Sequence, residues 1–219
     1  YGEVAHEPVF VRSAQPEFNY PAGSDNVHSR YEGSGGFPIG GLPMRTLAAL
    51  AYSDWNILLT TYLQDDTRMM IRRRVPERVN ELAPFLRWDA DPYLVLRTDG
   101  TLTWMLDGYS TSDRHPYSER IRTRRSSGLN YVRNSVKATV DAYTGEVKLY
   151  VFDEADPLIR AYRNLFPGLF QEMSSMPADL REHARYPEWI FQIQAEILLT
   201  FHMNDADSFY NKVDVWDVA

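Results

Sequence analysis

The alternation of apolar and polar residues is clearest in residues 130–152. The two kinds alternate over residues 136–142, and a second alternating run begins at Val147. A period of two is typical of a β-strand with one face on a core. Between the runs, Thr144 and Gly145 form a turn, because glycine readily adopts the positive φ of tight hairpins. The pattern therefore predicts a β-hairpin.

A second hairpin is predicted over residues 93–106. Its apolar positions are Leu94 and Leu96 on one arm and Leu102, Trp104 and Leu106 on the other, with Asp99-Gly100 at the turn. Two hairpins supply four strands, which are enough for an antiparallel sheet. With the helices described next, the fold class is α+β: a sheet built from hairpins at about 93–106 and 131–152, packed against several helices, with a long irregular N-terminal segment.

Apolar residues recur at helical spacing in residues 45–63. This predicts a largely buried helix, with Trp55 in the core rather than at a ligand site. A shorter helix is predicted over residues 77–86.

Three more helices are predicted in the last third of the chain. Residues 157–166 form a helix that Asp156 caps and in which Pro157 is the first residue, because an acidic cap and an early proline suit a helix N-terminus. Pro177 and Pro187 begin the other two, and the helix after Pro187 is long and apolar. We expect it to pack on the sheet or on the helix of residues 45–63.

Residues 1–44 are rich in proline, glycine, serine and asparagine, which predicts extended and looped structure. The glycine-rich residues 31–41 lack the Gly-Lys-Ser/Thr of a P-loop and the strand that precedes a dinucleotide-binding turn. They predict a loop rather than a phosphate site. We expect one globular region, residues 1–219, in which residues 45–219 form the α+β body.

Composition narrows the classes of function. The net charge is −7, which disfavours nucleic acid as a partner because phosphate binding needs a basic field. The chain has no cysteine, which excludes disulfides, thiolate catalysis and cysteine-ligated metals. No apolar run reaches the ~20 residues that span a bilayer. Because the chain begins at Tyr1 rather than Met, we expect it to be an excerpt of a longer protein.

The segment between the hairpins, residues 107–129, carries most of the candidate chemistry. The catalytic candidates are Asp107, Asp113 and His115, because a carboxylate and an imidazole suit acid/base work. The candidates for binding an anion are Arg114, Arg120, Arg122, Arg124 and Arg125. The alternative is a polar connector in which Asp107-Gly108 ends the strand and the arginines are solvated. No fixed catalytic spacing decides between the two.

The histidine and acidic patterns favour no metal site. His183 and His202 are single, without H-E-x-x-H spacing, and the acidic residues 153–156 lack the D-x-D-x-D-G spacing of a calcium loop. The sequence therefore predicts neither a metal nor a cofactor. A further basic cluster, Arg72 to Arg74, is typical of a solvated face, and anionic lipid is its less favoured alternative.

Several segments together resemble the UPF0182 family of uncharacterised bacterial integral membrane proteins. The segments are YEGSGG (31–36), WNILL (55–59), DGYST (107–111), PYS (116–118), NYVRNSVKATVDAY (130–143), DEADP (153–157), FPG (166–168), HARYP (183–187) and residues 210–216. They extend over nearly the whole chain. A weaker resemblance, to PepSY-type modules, covers only residues 140–147.

The resemblance implies a cell-membrane protein whose large soluble portion faces the extracytoplasmic side. This chain would be the first part of that portion. Its expected partners are the N-terminal transmembrane region and C-terminal remainder of the parent protein, and an envelope protein or an anionic ligand. The family has no established catalytic residues, so none is transferred.

Two functions follow as hypotheses. The first is a non-catalytic extracytoplasmic domain that binds or scaffolds an envelope partner. The alternative is an envelope hydrolase, or an enzyme that binds an anionic ligand, with its site in residues 107–125. Whether the chain is an enzyme stays open at this point, and the sequence favours a non-catalytic role.

Overall fold

The structure is a computed structural model that describes residues 1–3, 8–123 and 126–216. Residue contacts divide the chain into two units. The first comprises Tyr1–Leu82, Leu96–Trp104 and Thr139–Val147, and the second comprises Ala83–Val95, Met105–Ala138 and Lys148–Ala219.

The first unit contains short strands and three helices within its described residues. The strands are β1 (Val9–Val11), β2 (Glu17–Ala22), β3 (Asp25–Ser29), β4 (Phe37–Pro38) and β5 (Arg68–Met70). The helices are α1 (Leu42–Tyr52), α2 (Asn56–Leu59) and α3 (Val75–Leu82). Strands β1, β5 and β4 form an antiparallel sheet in that order, and β2 pairs with β3.

The prediction of one largely buried helix over residues 45–63 is wrong. Ser53 has a left-handed backbone (φ +53°) and ends α1, and α2 is a single turn. Small residues make the contact with the core: Ala48 and Ala49 are buried with Ile57, Ile39 and Met69. The large apolar side chains of this segment, Leu47, Leu50, Trp55 and Leu59, are exposed instead.

The second unit is built around the longer strands of the fold. Its elements are β6 (Arg87–Trp88), β7 (Tyr93–Leu96), β8 (Leu102–Ser112), β9 (Arg122–Thr123), β10 (Ser126–Ser127), β11 (Tyr131–Asp141), β12 (Val147–Val151), α4 (Pro157–Leu165), β13 (Phe170–Glu172), α5 (Ala178–Glu182), α6 (Glu188–Phe201) and α7 (Ala206–Asn211). The ends of β7, β8, β11 and β12 belong to the first unit.

The main sheet has the strand order β13-β12-β11-β8-β6, and β7 also pairs with β8. The α+β class is confirmed, and both predicted hairpins are present as β7–β8 and β11–β12. The sheet is not purely antiparallel, because β13 pairs in parallel with β12. That pairing joins segments separated by helix α4, which no local pattern predicts.

Strand β8 continues through Ser112, so the expectation that Asp107-Gly108 ends a strand is wrong. Residues 105–110 of β8 and 135–140 of β11 are buried without alternation. Both faces of these central strands are therefore covered. As a result, polar side chains of the two strands are also buried: Asp107, Ser110, Ser135, Lys137 and Thr139.

Two helices of the second unit begin at an aspartate cap. The Asp156 side chain accepts a hydrogen bond from the Leu158 N–H and caps α4, as predicted. Asp205 caps α7 in the same way. Helix α6 buries Trp189 and Ile193 against Tyr109. Within the described residues, no helix is both long enough and apolar enough to cross a bilayer.

Candidate functional site

A buried ion pair joins the two central strands of the second unit. Lys137 Nζ donates a hydrogen bond to Asp107 Oδ1, and the two side chains are 4% and 3% exposed. Asn134 Nδ2 donates to the same oxygen at 3.2 Å. Lys137 Nζ also donates to the Arg185 carbonyl oxygen at 3.1 Å, in the connection between α5 and α6. Pairing of this kind is what makes a buried lysine and aspartate tolerable.

Lys137 is one of the residues that line a groove of about 650 Å³. Arg133, Asp153, Arg185, Phe152 and Ile190 are among the other residues that line it. The Lys137 ammonium lies 5.4 Å from the centre of the Phe152 ring. The groove thus combines cationic groups with apolar walls, and its volume is in the range of small-molecule sites.

The two groove arginines are held at the surface. Arg133 Nη1 is 3.0 Å from Asp153 Oδ2. Arg185 Nη2 donates to the Asp91 carbonyl oxygen at 3.2 Å and lies 3.5 Å from Asp91 Oδ2. The guanidinium of Arg185 also lies over the Tyr93 ring, 4.1 Å from its centre. These contacts orient both cations without burying them.

A second polar network is centred on Asp156. Ser110 Oγ, Ser135 Oγ and Tyr131 OH all donate to its carboxylate, the last at 2.6 Å, in addition to the Leu158 N–H. Burial alone would raise the pKa of Asp156, but these hydrogen bonds outweigh it and hold the pKa below its usual value. Burial and the bond to this carboxylate raise the pKa of Tyr131 to about 12. The network ties α4 to β8 and β11.

The structure separates Asp107 from the other two catalytic candidates. Asp107 lies in β8, and Asp113 follows the end of that strand, so roughly 3.3 Å per residue places them about 20 Å apart. Asp113 is exposed beside Arg114, 3.8 Å from its Nε. The His115 ring stacks on Tyr131, with centroids 5.5 Å apart. The three side chains thus have different neighbours, and their catalytic role stays a prediction.

The candidate arginines of the same segment are dispersed. Arg114 is exposed, and Arg120 lines a different depression and donates to the Gly128 carbonyl oxygen at 3.5 Å. Arg122 lies in β9, and Arg124 and Arg125 lie outside the described residues. In the other basic cluster, Arg72 and Arg74 pair with Glu81 and Glu77. Anion binding by these arginines stays a prediction.

Sequence reasoning missed the residues of the groove. Lys137 occupies a polar position in an alternating strand, where exposure is the usual outcome. Arg133 and Arg185 are far apart in sequence and outside the arginine-rich segment. A signal was available in Asp107, because it directly follows the apolar run of residues 104–106, and an aspartate that is buried in a strand needs a cationic partner.

Comparison with known proteins gives a consistent result. A family model described as an uncharacterised protein family, UPF0182, matches residues 1–219. Similar proteins include a UPF0182 protein of Solibacter usitatus, 59% identical over 219 residues, which are 100% of this chain and 24% of that protein. A UPF0182 protein of Bradyrhizobium diazoefficiens is 48% identical, over 99% of this chain and 23% of that protein.

A UPF0182 protein of Geobacter sulfurreducens is 44% identical over 100% of this chain and 24% of its own length. The chain thus spans about a quarter of the length of these curated relatives. No solved structure matches it.

Proposed function

Because the chain belongs to the uncharacterised protein family UPF0182, we propose that it is a non-catalytic extracytoplasmic domain of a larger integral membrane protein. Its role there is to bind or scaffold other parts of that protein and of the cell envelope. The observation that carries the proposal is the outer surface of α6. Phe191, Ile197, Leu198 and Phe201 are all exposed on this helix.

An exposed apolar surface of this kind is typical of a protein–protein contact. Phe191 and Leu198 are seven residues apart and so lie on the same side of the helix. The matched relatives are about four times longer than the chain, and the additional sequence is the occupant that we propose for this surface. Helix α1, with Leu47 and Leu50 exposed, offers a second surface of the same chemistry.

The polar interior supports a binding role rather than catalysis. The charge of Asp107 is balanced by Lys137, and Asp156 accepts four hydrogen bonds as the cap of α4. Both carboxylates therefore have structural partners. The chemistry of the enzyme alternative would need Asp113 or His115 to act from an exposed loop.

The contact is tested with a Phe191→Ser/Leu198→Ser variant, in this chain alone and in the longer protein. We expect the thermal unfolding temperature of the chain alone to stay unchanged, because both side chains are exposed. In the longer protein, we expect the same variant to lower the thermal unfolding temperature, because the proposed contact with α6 is lost. Glu196→Ser, exposed on the same helix, is the matched control. Equal stability of the variant and wild-type longer proteins would contradict the proposal.

The side of the membrane is tested by labelling. The chain has no cysteine, so a single Ser24→Cys substitution in the exposed turn that joins β2 and β3 gives this region one thiol. We expect a membrane-impermeant maleimide to label it in intact cells. Labelling only after lysis would place the region on the cytoplasmic side.

A further inference from the structure

We infer that the groove beside Lys137 is a binding site for a carboxylate monoanion that is attached to an apolar group. Lys137, Arg133 and Arg185 come from β11 and from the connection before α6, and all three line the groove. Each pairs with one carboxylate and keeps further N–H donors beyond that pairing. The site lies apart from the candidate arginines of residues 114–125.

Lys137 provides a donor at the wall of the groove. An ammonium group has three hydrogens, and the described residues supply acceptors for two of them, Asp107 Oδ1 and the Arg185 carbonyl. A ligand oxygen can accept a hydrogen bond from the third hydrogen of the ammonium group. Because Lys137 is removed from water by its neighbours, an acceptor that carries charge interacts with it more strongly than a neutral one.

The arginines can bind a ligand without leaving their present partners. A guanidinium has five N–H donors, and Arg133 and Arg185 each use a few of them on Asp153 and Asp91. Both arginines are partly exposed, so a carboxylate that enters the groove can contact them. A planar guanidinium matches the two oxygens of a carboxylate.

The charges around the groove favour a monoanion over a dianion. Each cation of the groove has one carboxylate partner: Asp107 for Lys137, Asp153 for Arg133 and Asp91 for Arg185. The formal sum of these six groups is therefore zero. A carboxylate adds one negative charge beside the three acidic partners, whereas a phosphate dianion adds two, so the charge repulsion is smaller for the carboxylate.

The remaining walls require an apolar portion of the ligand. Phe152, Ile190 and Val132 line the groove together with the charged residues. Burial of an alkyl chain or ring against them is favourable at roughly 25 cal/mol per Å². The occupant is thus amphipathic, with its carboxylate at Lys137 and the arginines and its apolar part along Phe152 and Ile190.

The test titrates the 219-residue chain with hexanoate and follows backbone amide resonances by NMR. We expect saturable shifts at Lys137, Phe152 and Ile190. Hexanamide, which lacks the charge, and acetate, which lacks the alkyl chain, should each bind at least about tenfold more weakly. Absence of saturable shifts with hexanoate at millimolar concentration would overturn the proposal, as would equal binding of hexanamide.

Variants identify the groove as the site. Arg133→Gln and Arg185→Gln should each weaken hexanoate binding about tenfold. Arg163→Gln removes an arginine of the same unit that pairs with Glu172 outside the groove, and it should leave binding unchanged. Equal weakening by all three variants would indicate nonspecific attraction and contradict the assignment. Tighter binding of hexyl phosphate than of hexanoate would overturn the choice of a carboxylate.

This inference and the proposed α6 contact fail separately. The Phe191→Ser/Leu198→Ser variant changes neither groove arginine, so it should bind hexanoate as wild type does. Loss of hexanoate binding in that variant would contradict the location of the site.

Discussion

Lys137 Nζ donates a hydrogen bond to Asp107 Oδ1 across β11 and β8, where both side chains are almost completely buried. The two residues are thirty positions apart in sequence. Each charge is tolerated in the interior because the other one is there. The pair also fixes the wall of the groove, because the same ammonium binds the Arg185 carbonyl.

Replacing only one residue of this ion pair should destabilise the fold. Lys137→Met leaves a buried carboxylate without its partner, and we expect the free energy of unfolding to fall by about 3–5 kcal/mol. Replacing both charges, as Lys137→Met/Asp107→Leu, should restore most of the loss. Urea unfolding of the two single variants and the double variant measures the coupling.

The matched control for this experiment is an exposed ion pair. Arg74→Met breaks the pair with Glu77 on α3, and its effect should be under about 1 kcal/mol. Additive losses in the buried double variant would show that Lys137 and Asp107 do not interact in solution.

The Asp156 network should make stability depend on acid pH. Because the pKa of Asp156 is lowered in the folded state, its contribution is complete above the usual aspartate pKa, about 3.9, and is lost as the pH falls below it. Asp156→Asn removes an acceptor of several buried hydrogen bonds and should cost at least about 2 kcal/mol at neutral pH. It should also flatten the acid limb of a plot of unfolding free energy against pH. Asp113→Asn, at an exposed residue, should change neither the unfolding free energy at neutral pH nor the acid limb of the plot.

Tyr131 should be a late-titrating tyrosine. Its pKa of about 12 lies above the usual value of 10. Its contribution to stability is therefore complete below pH 10 and is lost as the pH rises toward 12. Ultraviolet titration of phenolate formation should show a component near that pH, which Tyr131→Phe removes. Tyr117→Phe, at a fully exposed tyrosine, should leave the component in place. Its persistence in Tyr131→Phe would refute the assignment.

The loop before β4 should tolerate no side chain at Gly36. Its φ is +71°, and a Cβ there would lie 2.6 Å from the Met69 carbonyl oxygen. Gly23 has a similar φ of +64°, but nothing lies within 4 Å of its Cβ position. Gly23→Ala therefore measures the backbone strain alone, about 1 kcal/mol. Thermal unfolding should show a clearly larger loss for Gly36→Ala, and equal losses would disprove the clash.

The sequence by itself determined the features that depend on neighbouring residues. The hairpins around Asp99-Gly100 and Thr144-Gly145 and the Asp156 cap of α4 all follow from a short pattern. Turns and helix caps depend on interactions within a few residues, so the local sequence is sufficient to predict them. Membership of the UPF0182 family was also readable from short segments, because their combination is specific.

Only the tertiary structure decided which polar and apolar side chains are buried. Lys137 and Asp107 occupy positions that an alternating pattern leaves exposed or in a loop, and both are buried because both faces of β8 and β11 are covered. Leu47 and Leu50 have the spacing of a core helix and are exposed, because α1 packs through Ala48 and Ala49. Burial depends on which distant segments cover a residue, and periodicity records only that one face differs from the other.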